Sequence, residues 1–257
     1  IIVPSGRSLN EYTLKILKDW VFQGGTLIAH NSSTRSLASD KGIGSVKQLQ
    51  NTFENSKEYN FDLMREIYAL DNDINKDMTN ENNVNFELSY PWEEIEGFLS
   101  KNELKDRDKW QSIFMPSGSF VAGRIDNEHW LTFGTSETIP VLYSNYPILM
   151  TRSNSDAPVR IGNMIPNNEI DVPRVVNWSS IPAGFDLNVR MSGLVWPEAS
   201  QRIANSAYLT RERVGNGQVI LFSGEPNFRG ATLGTNRLWL NAIVYGPGLG
   251  TRSKIDL

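Results

Sequence analysis

Two short runs carry the residues of this chain that could do chemistry. The run GEPNFRG, 224–230, sets a carboxylate at Glu225 and a guanidinium at Arg229, with Phe228 between them. A carboxylate there could act as a general base, and an arginine could clamp an anion. The second run, His30-Asn31-Ser32-Ser33-Thr34-Arg35, adds an imidazole and two hydroxyls, and the helix start that follows could offer amides to an oxyanion. A serine hydrolase elbow would read G-x-S-x-G, whereas HNSSTRS lacks both glycines. Ser32 and Ser33 read instead as helix N-cap residues, which serine suits well. Glu225 and Arg229 read as pairing with each other or capping local backbone while Phe228 plugs the core, because a catalytic site needs a complete geometric set. His30, Ser32, Glu225 and Arg229 are therefore the candidate site residues, and the structural role is favoured for each.

Metal chemistry has little to work with. Cysteine is absent, which removes disulfides, thiolate nucleophiles and every zinc site containing Cys. The only histidines, His30 and His129, are far apart and lie in neither H-E-x-x-H nor H-x-x-E. Each reads as a single hydrogen-bonded histidine near a strand end. Asp71, Asp73, Asn75 and Asp77 alternate like the ligands of a calcium loop, but Lys76 stands where the turn wants Gly and Asn82 where a bidentate Glu belongs. A solvated, Asn-rich loop accounts for the same letters.

The elements that must position these runs are α/β in character. An apolar strand at 1–4 precedes a helix carrying Leu9, Tyr12, Ile16, Leu17, Trp20 and Val21 at three- and four-residue spacing. Ser8 and Glu11 predict a capping box at its start, and Gly24-Gly25 predicts its end. Thr26 to Ala29 then reads as a second buried strand, parallel to the first across a right-handed crossover. Near the other end, Gln218 to Phe222 is a strand, Thr235 a helix N-cap, and Leu238 to Tyr245 an apolar helix stopped by Gly246-Pro247. Between them, 50–108 is rich in Asn, Asp, Glu and Lys and reads as a helical insertion. SFVAGRI, HWLTFG and IPVLYS, between 119 and 144, read as strands; 151–200 has no clear assignment.

Composition narrows the rest. The 257 residues, 39% hydrophobic with seven Trp, eight Tyr and eleven Phe, describe a folded protein whose tryptophans belong mainly in the core. A formal charge of −4 without any Lys/Arg-rich run argues against a nucleic-acid partner. No run is long and apolar enough to span a bilayer, and none reads as a signal peptide. Ile1-Ile2-Val3-Pro4 starts within a strand, so the chain reads as a fragment of a longer protein.

The run from Ser192 to Gly250, SGLVWPEASQRIANSAYLTRERVGNGQVILFSGEPNFRGATLGTNRLWLNAIVYGPGLG, resembles the C-terminal region of large bacterial proteins of the zinc carboxypeptidase family. Those proteins carry a class I glutamine amidotransferase-like domain behind the peptidase domain. IIVPSGRSLNEYTLKILKDWVFQGGTLIAH and PSGSFVAGRIDNEHWLTFG are similar to the same domain. The resemblance implies one three-layer, flavodoxin-like domain over 1–257, with a mostly parallel sheet and 50–108 inserted. True amidotransferases place a nucleophilic Cys after the strand corresponding to 26–29, where this chain has His30 or Asn31. Their His and Glu follow the strand corresponding to 218–222, where GEPNFRG offers no His. The resemblance thus implies a scaffold without its triad, holding no cofactor of its own. It would be an accessory domain of a secreted or periplasmic zinc metallocarboxypeptidase, with zinc in the parent peptidase domain. Its implied tasks are packing against that domain, shaping substrate access, or forming a homodimer. Two other readings stand beside it. One is a hydrolase using loops 30–35 and 225–229; the other is a peptide- or carbohydrate-binding module stacking ligands on Trp92, Trp110 or Trp196.

Overall fold

A computed structural model describes residues 1–6, 8–71, 99–152 and 154–251. The calcium-like residues Asp73, Asn75 and Asp77, and Trp92, lie outside them. The chain starts as a β-α-β unit: β1 (Ile2–Val3), α1 (Glu11–Phe22) and β2 (Thr26–His30), with β1 and β2 parallel. The cap of α1 is Asn10 rather than Ser8: the Asn10 side chain accepts from the Thr13 N–H at 2.9 Å. Glu11 instead pairs with Lys41, and the Leu9 N–H donates to the Ser36 hydroxyl, so tertiary bonds displace the local capping box.

The closing helix α7 (Leu233–Tyr245) starts after Thr232, three residues before the expected Thr235 cap. Two strands precede it in a hairpin, β13 (Ala207–Val214) and β14 (Gly217–Phe222), joined through Gly215-Asn216 with Gly215 at φ +62°. A turn residue with positive φ favours glycine and matches the twist of the two strands. β14 then pairs in parallel with β2, from Gln218 opposite Thr26 to Phe222 opposite His30.

Side-chain alternation along this central pair builds both cores. Leu27, Ala29, Val219 and Leu221 face one side, under Leu14, Leu17 and Val21 of α1. Ile28, Ile220 and Phe222 face the other, under Leu238 and Ala242 of α7. Helices thus cover both faces, which explains why these strands read as unbroken apolar runs. Gly217 permits the close approach of α1: a Cβ there would lie 2.2 Å from the Val21 carbonyl oxygen and 2.3 Å from that of Gly25.

Beyond β14 the sheet departs from the mostly parallel expectation. Its order is β1-β2-β14-β13-β7-β4-β12, with β7 at Asp156–Ile161, β4 at Ser119–Ile125 and β12 at Arg190–Ser192. β5 (Thr138–Tyr143) flanks β4, and β6 (Leu149–Met150) bridges β13 to β3 (Lys47–Gln48). Within this sheet β1–β2 and β2–β14 are parallel, and the pairings beyond β14 are antiparallel. For β13 and β14 the reason is connection length: a two-residue hairpin joins them, and only a long crossover permits parallel pairing. Small antiparallel pairs, β8 (Asn163–Pro166) with β11 (Phe185–Asn188) and β9 (Arg174–Val176) with β10 (Ser179–Ile181), fill the unassigned stretch 151–200.

SFVAGRI and IPVLYS form β4 and β5, but HWLTFG does not form a strand. Its Trp130–Thr132 is a 3₁₀ turn. His129 Nδ1 accepts from the Leu131 N–H, and the Thr132 hydroxyl donates to the Asp126 and His129 carbonyls, so side chains capture the backbone locally. The stretch read as a helical insertion supplies α3 (Leu49–Thr52), α4 (Ser56–Asp71) and α5 (Lys101–Ser112), the last with a complete Ser100/Glu103 capping box. A further helix, α6 (Pro197–Ile203), packs beside α5. The tryptophans are less buried than expected: Trp130, Trp178 and Trp239 pack partly exposed against one core and Trp20 against the other. Trp110 and Trp196 are exposed.

Candidate functional site

The fold brings the two runs together at the carboxyl ends of β2 and β14, where open α/β sheets place ligands. Asn31 leaves β2 with φ +51°, and its side-chain amide donates to Glu225 Oε1 at 2.8 Å. That bond ties the loop after β2 to the loop after β14. Glu225 therefore bonds Asn31 and not Arg229, whose guanidinium lies 5.1 Å over the Phe228 ring. Phe228 is 38% exposed, so it lies over the surface instead of plugging the core.

Neither serine caps a helix by its side chain. Asn31–Ser33 form a 3₁₀ turn leading into the four-residue α2 (Thr34–Leu37), which starts without a side-chain cap. Ser32 Oγ accepts from the Gly6 N–H at 2.7 Å and bonds the Ser5 hydroxyl at 3.2 Å, holding the loop after β1. Ser33 is fully buried and donates to the carbonyls of Val3 and His30. Both hydroxyls are engaged in loop architecture, and neither bonds the His30 ring.

His30 packs its ring edge-on to Trp239 of α7, at a centroid distance of 5.3 Å, and its Nδ1 has no hydrogen-bond partner among the described residues. Burial lowers its pKa, and the nearby Glu225 carboxylate opposes part of that shift. The sign follows directly. A histidine whose folded pKa lies below its unfolded value near 6.5 adds stability above pH 6.5 and loses it as pH falls through the folded value. An NMR titration should place the His30 imidazole below that ordinary value, and Glu225→Gln should lower it further. An upward shift in the variant would remove Glu225 from the electrostatics of the site.

Several participants escaped the sequence. Tyr143, from the end of β5, and Ser223, just after β14, are each 1% exposed, and their hydroxyls have no partner among the described residues. Tyr146 stands 5.4 Å from the Tyr143 ring. Burial raises the pKa of Tyr146 and Tyr208, and the Glu225 charge adds to both shifts. Gly224 admits these rings to the backbone: its Cβ would lie 2.8 Å from Tyr146 Cε2 and 3.2 Å from Tyr208 Cε2. The site is thus a carboxylate and an imidazole set among tyrosines. Nothing in the spacing of Tyr143, Tyr146 and Tyr208 announces that they share it.

The second histidine has different partners. His129 Nε2 lies 3.6 Å from Asp156 Oδ2, and Arg211 Nη1 lies 3.3 Å from the same oxygen. The His129 contact, with help from Arg211, holds the Asp156 carboxyl below its usual range. Among the described residues no group of three or more His, Asp or Glu side chains converges as a metal site would. Nor is any described helix long and apolar enough to cross a membrane. Trp110 and Trp196, 58% and 49% exposed, flank Phe114 at ring distances of 5.2 and 6.5 Å. Compared with known proteins, the chain matches no family model, no curated protein and no solved structure.

Proposed function

We propose that this chain is a non-catalytic accessory domain, class I glutamine amidotransferase-like and flavodoxin-like at its parallel end, of a longer secreted or periplasmic zinc carboxypeptidase. The observation that carries the reading is the Asn31–Glu225 bond, together with the structural engagement of Ser32 and Ser33. The groups that stand where an amidotransferase keeps its triad are used here to join loops. The β1-α1-β2 unit beside β14, covered on both faces, supports the flavodoxin-like part of the reading. In this reading zinc belongs to the peptidase domain, which is the expected partner, and no residue of this chain is assigned to it.

The test is the size of the native polypeptide, by immunoblot of source cells and medium with antibody to this chain. The expected band lies far above 29.0 kDa. A lone band near 29.0 kDa, with no larger precursor in a pulse-chase, would sink the proposal.

A hydrolase working from loops 30–35 and 225–229 is the second reading. One observation favours it: His30 sits beside Glu225 with a lowered pKa, the condition of an imidazole kept neutral for base catalysis. The exposed Trp110 and Trp196 are what a binding module would use.

A further inference from the structure

Away from the strand ends, a cavity of about 370 Å³ opens between α4, the β6–β7 connection and Trp178. That volume lies within the range of small-molecule sites. Among the described residues, Arg65, Arg152 and Arg160 line it with a single carboxylate, Asp62. Two of the arginines are held in place. Arg152 bonds Glu58 and lies 3.4 Å from Asp62, with its guanidinium 5.9 Å over the Tyr59 ring. Arg160 donates to the Asn205 carbonyl and the Thr151 hydroxyl, both at 3.0 Å. Arg65 differs. It is exposed, lies 5.9 Å over the Phe61 ring, and makes no hydrogen bond or ion pair among the described residues.

Tyr59, Leu63, Met150 and Trp178 give the wall its apolar and aromatic part, and Thr151 and Ser155 complete it. A second cavity of about 270 Å³ adjoins across Tyr59, Leu63 and Trp178 and continues over Phe53, Leu104 and Val175. Three arginines line the first cavity, and the shared Tyr59, Leu63 and Trp178 carry apolar surface from it into the second, which also holds Arg107. An anion would take the unspent donors of Arg65 beside the braced Arg152, and its apolar body would lie along Tyr59, Leu63 and Trp178.

We propose that this cavity binds a small amphiphilic carboxylate, its carboxyl group on Arg65 and Arg152 and its alkyl or aryl body against Leu63 and Trp178. A monoanion fits better than phosphate, because Glu58 and Asp62 already engage Arg152 and a dianion would face them at close range. The site is independent of the role assigned to the strand ends.

Isothermal titration of the 257-residue chain with 4-phenylbutyrate tests it, with 4-phenylbutan-1-ol and inorganic phosphate as comparators. The carboxylate should bind saturably, and the alcohol at least about tenfold more weakly, since it keeps the body and loses the charge-assisted bonds. Arg65→Gln should weaken carboxylate binding about tenfold, while Arg65→Lys, which keeps the charge, should weaken it less. Arg65 is exposed, so both variants should retain the parent circular dichroism spectrum. Absence of saturable carboxylate binding, equal affinity for the alcohol, or an Arg65→Gln variant that binds like the parent would each overturn the proposal. Phosphate binding as tight as the carboxylate would overturn the amphiphilic part and leave a plain anion site.

Discussion

Asp108→Ala is expected to lower the unfolding free energy by about 3–5 kcal/mol, a large share of the stability of any ordinary domain. Asp108 on α5 and Arg202 on α6 form an ion pair at 2.8 Å with side chains only 10% and 5% exposed. Gln50 donates to the second Asp108 oxygen at 3.3 Å, and the Trp178 indole donates to the Arg202 carbonyl at 3.3 Å. Removing the carboxylate leaves a guanidinium buried with its charge uncompensated, and that desolvation penalty, more than the lost bond, sets the cost. The measurement is urea unfolding of Asp108→Ala, Arg202→Met and the double variant. The double variant should be more stable than Asp108→Ala alone, because it buries no orphan charge. A cost below about 1 kcal/mol for Asp108→Ala would mean that water reaches the pair, since only exposed pairs are worth that little.

Much of the parallel half was legible because local pattern and tertiary role agree there. Leu27-Ile28-Ala29 and Val219 to Phe222 are apolar at every position because helices cover both faces of those strands. The antiparallel half hid itself for the opposite reason. Tyr-Leu-Thr-Arg-Glu-Arg-Val before Gly215-Asn216 alternates as a hairpin strand should, yet its charges make it read as surface. Thr210 and Glu212 are nevertheless buried, and Arg211 is tied to Gln218, Asp156 and the Gly250 carbonyl. The dipeptide Gly215-Asn216 between two β-rich runs was the signal that could have found the hairpin.

The candidate site was legible only as far as the chain is continuous. His30 and Glu225 follow buried strands, so the rule for strand ends places them. Tyr146, just past β5, and Tyr208, on β13, both feel the Glu225 charge, and their arrival there depends on an antiparallel order that no local pattern encodes. The error at the first cap has the same origin. Ser8 satisfies the local pattern, but Asn10 starts the first helix because Leu9 is held by the distant Ser36. Thr235 falls within the first turn of the last helix, its hydroxyl bonded locally to Thr232.

Glu212→Ala is the second large loss, expected at about 3 kcal/mol, because it orphans backbone amides as well as removing charge-assisted bonds. Glu212 projects from β13 and is 6% exposed. Both of its oxygens accept from the Ser45 N–H, at 2.8 and 2.7 Å, and Oε2 also accepts from the Val46 N–H at 3.3 Å. The loop can present these amides only because Gly44 adopts φ +88°, and a Cβ at Gly44 would lie 2.3 Å from Glu212 Oε2. Gly44→Ala should therefore also destabilise, by about 1–3 kcal/mol from backbone strain and the clash. The two effects should not add, since once the carboxylate is gone the methyl group meets no oxygen and only the strain remains. Amide hydrogen exchange reads the mechanism directly. In Glu212→Ala, Ser45 and Val46 should lose protection well before the β2–β14 core opens. If those amides stay protected, the loop is held by other contacts, and the stability loss would have to be assigned to repacking around β13 instead.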